Sequence, residues 1–116
     1  MEYQTYSKNL LVTESLEEYL SLKMAHIDKL SVRPTSCRVD LSRDTHHKKG
    51  EVFRVEININ VPGKLLRIVE SHEDVRAAID LATDKLLRQL TNFKSKNIDS
   101  KRRLARLFKR FRRPGR

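Results

Sequence analysis

His72-Glu73-Asp74 is where this sequence sets a base beside two acids, the minimum that acid–base cleavage of a phosphodiester needs. The three residues open a helical pattern, however, and acids at a helix start are explained by its dipole. His46-His47 stands in a polar run with no third ligand at metal spacing. Cys37, the only cysteine, alternates with Val39 and Leu41 as a buried strand residue does, and it cannot form an internal disulfide. The three glycines, Gly50, Gly63 and Gly115, are too scattered to make a phosphate loop. The expectation is a protein that is not an enzyme and holds no metal or cofactor. Ribonuclease action is the catalytic alternative, and discrete new fragments from incubated RNA would reveal it.

Recognition chemistry is better represented. The chain carries 25 Lys/Arg against 15 Asp/Glu, a net charge of +10. From Met1 to Phe93 the two signs cancel, at 14 each; from Lys94 to Arg116 there are 11 Lys/Arg and a single acid, Asp99. A neutral body with a strongly basic end suits a polyanion, and RNA is the expected class. No signal peptide opens the sequence and no run approaches a membrane span, so a cytoplasmic, soluble protein is expected.

Alternation and periodicity supply the elements that must position these charges. Residues 2 to 8 read as a strand. Thr13 is placed to cap a helix over 14 to 30, with Leu16, Tyr19, Leu20, Met24, Ile27 and Leu30 on one face. Cys37, Val39 and Leu41 mark a second strand, and 44 to 50 a polar connecting loop. Phe53, Val55, Ile57, Ile59 and Val61 alternate without interruption, and Pro62-Gly63 turns the chain into a fourth strand over 64 to 71. Val75, Ile79, Ala82, Leu86, Leu90 and Phe93 define a helix from Glu73 to Lys96. The order β-α-β-β-β-α predicts an α+β two-layer sandwich: a four-stranded sheet, its first two strands parallel, with two helices packed on one face. Residues 1–97 are expected to form the domain and 98–116 a basic amphipathic or disordered tail.

Two placements bear on binding. On the last helix the apolar stripe centres at about 10° on a wheel from Val75; Lys85 and Lys96 fall beside it at about 280–300°, with Arg88 further round, and Arg76 and Lys94 on the other shoulder at about 100°. Long basic side chains also snorkel at the edge of any helix face. Lys23 lies inside the apolar stripe of the first helix, so its ammonium must escape to water or a partner. Either it meets a local acid, or it reaches a seam between the helices where spaced donors face RNA phosphates.

The segment His72-Glu73-Asp74-Val75-Arg76-Ala77-Ala78-Ile79-Asp80, continued by Asp84-Lys85-Leu86-Leu87-Arg88-Gln89-Leu90, closely resembles the ribosome hibernation-promoting factor and ribosome-associated inhibitor family, in a short, sigma-54 modulation protein-like form. Val12-Thr13-Glu14-Ser15-Leu16 and Lys23-Met24-Ala25 match as well, and the likeness spans residues 1 to 96. The resemblance implies the same β-α-β-β-β-α fold and a stress and stationary-phase role. It implies binding to the small ribosomal subunit at the decoding channel, where such proteins block the tRNA and mRNA paths and silence translation in idle ribosomes. It further implies rRNA contacts from the helices, carried here onto Lys23, Lys85 and Arg88, with Arg76 and Lys94 as additions; Lys96, beside the apolar stripe, is expected to join them. The family often has an aromatic where Arg76 stands and a basic residue where His26 stands. Residues 97 to 116 are too few for the second domain with which long members pair ribosomes, so no unaided ribosome dimerisation is expected. The tail is also basic where some short members are acidic.

Within that tail Ser100 is placed to cap a short helix in which Leu104, Leu107, Phe108 and Phe111 form a stripe, closed by Pro114-Gly115. Lys101, Arg102, Arg103, Arg106, Lys109, Arg110, Arg112 and Arg113 surround it and are assigned to rRNA phosphates. The expected partners are the small subunit and its rRNA, with no membrane and no small-molecule substrate, for a monomer off the ribosome. The alternative is a general structured-RNA-binding module acting away from the decoding site. A membrane-surface or protein-partner module, resting on the tail alone, is the third reading.

Overall fold

The computed structural model describes residues 1–111 apart from 31, 48 and 49; within its elements the side chains of His46, His47, Asn97, Ser100, Arg110 and Phe111 are also left out. Arg112, Arg113 and the Pro114-Gly115 stop lie outside the described residues.

Six elements follow in the expected order: β1 (Gln4–Lys8), α1 (Glu14–Asp28), β2 (Ser36–His47), β3 (Gly50–Val61), β4 (Lys64–His72) and α2 (Val75–Phe111). The sheet runs β1-β2-β3-β4, with β1 parallel to β2 and the other pairs antiparallel. The α1 crossover makes the parallel pair possible, since only a long connection returns the chain to the same end of the sheet. Pro62-Gly63 closes the β3–β4 hairpin between the paired residues Val61 and Lys64, and Gly63 takes φ 86, the left-handed conformation that the second turn position needs.

Alternation on the strands supplies one apolar face: Val39, Leu41, Val55, Ile57 and Ile68 are each no more than 1% exposed. Leu20 and Met24 of α1 and Ile79, Leu86 and Leu90 of α2 cover it. Ala78 and Ala82, both fully buried, let α2 approach the sheet closely. Thr83 is buried there too, its hydroxyl donating to the Ile79 carbonyl at 2.8 Å.

Two boundaries differ from expectation. The polar run 44–50 is not a free loop: β2 continues to His47 and β3 begins at Gly50, with Arg43 opposite Phe53, Asp44 opposite Val52, and a register shift before His47. Polar residues sustain a ladder when their partners are in register, and Arg43 adds an ion pair to Glu51 at 3.7 Å. The last helix does not end near Lys96 but runs unbroken for 37 residues, roughly 55 Å at 1.5 Å per residue. From Lys94 to Phe111 it contains neither Pro nor Gly, and eight of its 18 residues are the good helix formers Lys and Arg, so nothing stops it. Ser100 is therefore inside a helix rather than at the start of a new one.

Candidate nucleic-acid interface

The seam between α1 and α2 begins with two caps. The Thr13 hydroxyl accepts from the Leu16 amide at 3.2 Å, and Asp74 accepts from the Arg76 amide at 3.2 Å. His72 also has a structural task, its Nδ1 accepting from the Asp74 amide at 2.9 Å. With both starts pinned, Ser15, Tyr19 and Lys23 stand four residues apart on α1, facing Arg76 and Asp80 on α2.

Asp80 is the hub. The Tyr19 hydroxyl donates to its Oδ1, and the Lys23 ammonium meets the same oxygen at 3.1 Å. Lys23 also lies 5.6 Å from the centroid of the Tyr19 ring, and the Arg76 guanidinium 5.1 Å from it. Arg76 donates to Ser15 Oγ at 2.7 Å. Burial pushes the Asp80 carboxyl up, but the bonds from Tyr19 and Lys23 outweigh it and hold the group below its ordinary value. The same bonds to Asp80 raise Tyr19 and Lys23 above theirs. All three therefore keep one charge state near neutral pH. The Lys23 side chain is 26% exposed: it has found a local acid, one of the two outcomes the sequence left open, and its ammonium sits at the seam between the helices.

The other basic residues on α2 sort by flank. Lys94 is on the seam side, donating to the Leu30 carbonyl just beyond α1 at 2.6 Å. Lys85 is on the opposite side, 3.6 Å from Glu70 of β4. Arg76 and Lys94 are thus the shoulder that meets α1, while Lys85 is not brought to Lys23. Arg88 is exposed on a shallow depression with Asp84, Leu87, Thr91 and Asn92. His26 and Lys23 border a crevice of about 30 Å³ closed by Thr83, Asp84 and Leu87.

Beyond Phe93 the helix leaves the core. Lys96, Lys101, Arg102, Arg103, Arg106 and Lys109 are exposed and, among the described residues, make no ion pair. Leu104, Leu107 and Phe108 are 53%, 43% and 71% exposed. At 100° per residue they return to within about 60° of the core-facing stripe of Val75 to Phe93, so the extension carries that stripe past the end of the domain. The Arg110 side chain lies outside the described residues.

The open face of the sheet is organised differently. Arg54 and Arg67 both bind Glu56, at 2.9 and 2.8 Å, and Asn58 donates to it at 3.0 Å. These contacts, the Arg67 bond foremost, hold Glu56 down to about 2. Arg38 pairs with Asp40 at 3.0 Å and lies over the Tyr6 ring at 3.9 Å. Among the described residues no group of three or more His, Cys, Asp or Glu stands ready for a metal. No described helix is long and apolar enough to cross a membrane.

Residues 3–98 match the family described as Sigma 54 modulation protein / S30EA ribosomal protein. The chain belongs to that family. A Ribosome hibernation promotion factor of Deinococcus radiodurans is 41% identical over 95 residues, which are 81% of this chain and 49% of the relative. A Ribosome hibernation promoting factor of Azotobacter vinelandii is 32% identical over 99 residues, 85% of this chain and 88% of the relative. The chain spans about half the length of the Deinococcus relative and of one from Picosynechococcus. Among solved structures, the Thermus thermophilus Protein Y N-terminal domain superposes with a TM-score of 0.67 at 33% identity, covering 78% of this chain and 96% of that one. The S30EA family match ends at residue 98, so most of the projecting half of α2 lies beyond it.

Tyr19, Ser15 and Asp80 do not stand out as site residues in the sequence. The available signal is Lys23 within an apolar stripe, which requires an acid nearby; which acid answers is decided by how the helices pack.

Proposed function

We propose that this chain is a ribosome hibernation factor that binds the small subunit over the decoding channel, blocks the tRNA and mRNA paths, and silences translation in idle ribosomes. The observation that carries this reading is the match of residues 3–98 to a family whose relatives are named for ribosome hibernation. Charge placement supports it. The helix layer offers Lys23, Arg76 and Arg88 from the body, and the extension offers unpaired cations along the projecting half of α2. Such donors position a protein on an RNA backbone without reading its sequence. The protein acts in the cytoplasm by occupancy, with no covalent chemistry, and off the ribosome it is a monomer.

The test is sedimentation with purified ribosomes and separated subunits, with and without bound tRNA and mRNA. Pelleting with small subunits, and exclusion by tRNA, is the expected result. Binding that ignores tRNA overturns the decoding-channel assignment. A second reading, a general structured-RNA-binding module, draws on the cations of the extension, which surround most of the helix and suit any polyanion. Equal affinity for short duplex RNA and for the small subunit is the outcome that favours it.

A further inference from the structure

We propose that Asp80, an acid inside a cationic seam, is the positioning residue of the body's RNA contact, holding Lys23 and Tyr19 across the two helices; this rests on the ribosomal reading above. Its placement is otherwise paradoxical, because a carboxylate beside Lys23 and Arg76 weakens the local attraction for phosphate. Geometry resolves the paradox. Lys23 springs from the core-facing stripe of α1, and a flexible four-carbon stem leaving that stripe has many exits. The 3.1 Å contact to Asp80 selects the exit at the seam. An ammonium has three donors, and this contact leaves others for a phosphate oxygen.

Tyr19 is fixed by the same oxygen through its hydroxyl. Its ring then becomes a shared platform, with Lys23 at 5.6 Å and Arg76 at 5.1 Å from one centroid. Two cations on one ring repel each other, and the carboxylate between the helices offsets that repulsion. Ser15 Oγ holds Arg76 from the α1 side. Lys23 and Arg76 are thereby presented with a fixed spacing, which rewards a phosphate array of matching shape and gives no advantage on an unmatched one.

Asp80→Asn separates this role from simple neutralisation, because the two make opposite predictions. The variant, as the full chain, is titrated against small ribosomal subunits and against a short duplex RNA in parallel. Removing a charged hydrogen-bond hub is expected to cost the subunit complex about tenfold in affinity. Duplex affinity is expected to hold or rise, since the chain becomes one charge more positive. Tyr19→Phe keeps the ring and removes only its tether to the Asp80 carboxylate, and is expected to lower subunit affinity roughly two- to threefold with duplex affinity unchanged. Asp80→Glu should restore part of the affinity. If Asp80→Asn lowers the melting temperature, the Tyr19→Phe and Asp80→Glu measurements decide. Affinities that rise together on both RNAs, or do not change on either, overturn the positioning role alone. A wild-type chain that binds duplex and subunit equally overturns the ribosomal reading and this proposal with it.

Discussion

The body and the projecting half of α2 are both rich in cations, but the body pairs many of its own with acids and the extension, among its described residues, pairs none. In the body, Arg38, Arg54, Arg67, Lys85 and Lys23 each meet an acid within 4 Å, and Lys94 meets a backbone carbonyl. On the extension the described cations from Lys96 to Lys109 meet none. A paired cation contributes direction and little net field; an unpaired one contributes field and little direction. The body is thus suited to fit, and the extension to affinity.

Deleting residues 99–116 tests that division most severely. Subunit affinity at moderate salt should fall on the order of 100-fold, and the salt slope by roughly 0.7–0.9 for each phosphate that the shortened chain no longer neutralises. The melting temperature should hardly move, because the buried core ends at Leu90, with Phe93 packed against it. An unchanged slope would remove the extension from binding.

Glu56 sharpens the other side of the comparison. Its carboxyl is held at about 2 against an ordinary 4.5, and its side chain is only 16% exposed. A group depressed in the folded state stabilises it above the unfolded value, and that contribution disappears as pH falls from about 4.5 through about 2. Glu56→Gln should cost about 2 kcal/mol, or on the order of 10 °C in Tm, after allowing for partial exposure. It should also flatten the acid limb of the stability profile and leave subunit binding at neutral pH within about twofold. A weakened subunit complex would mean that the sheet face takes part in binding.

The continuity of α2 is tested by a change that is local in its cost and smaller in its effect on global stability. Ile98→Pro removes a helix-interior donor and should break the rod at a local cost of about 3 kcal/mol, visible as reduced helical circular dichroism. Tm should stay put, while subunit affinity drops several-fold if the rod must be straight. Smallest of all is Lys85→Ala: its pair to Glu70 is an exposed surface interaction worth at most about 0.5 kcal/mol in thermal unfolding. A drop of more than twofold in subunit affinity from this substitution would show that Lys85 exchanges Glu70 for phosphate.

How much was legible varies from residue to residue. The run from Phe53 to Val61 alternates with no competing pattern, so its strand and buried face could be read directly. The loop expected at 44–50 came from composition alone, and composition says nothing about whether Arg43 and Asp44 will find register partners in Phe53 and Val52. The end expected at Lys96 followed an apolar stripe read as far as Phe93, with Ser100 taken as the cap of a separate helix; weak helix formers such as Asn97 and Ser100 lower propensity but do not stop a helix whose neighbours favour it.

The order β-α-β-β-β-α, the core face of each element and the segregation of charge to the last 23 residues all follow from local pattern, because periodicity and charge are properties of neighbours along the chain. Which flank of α2 faces α1, and so whether Lys23 is met by Asp80 with Arg76 or by Lys85, was decided only by tertiary packing. Asp80 is 57 residues beyond Lys23 in the chain, and only the docking of both helices on one sheet brings them to 3.1 Å.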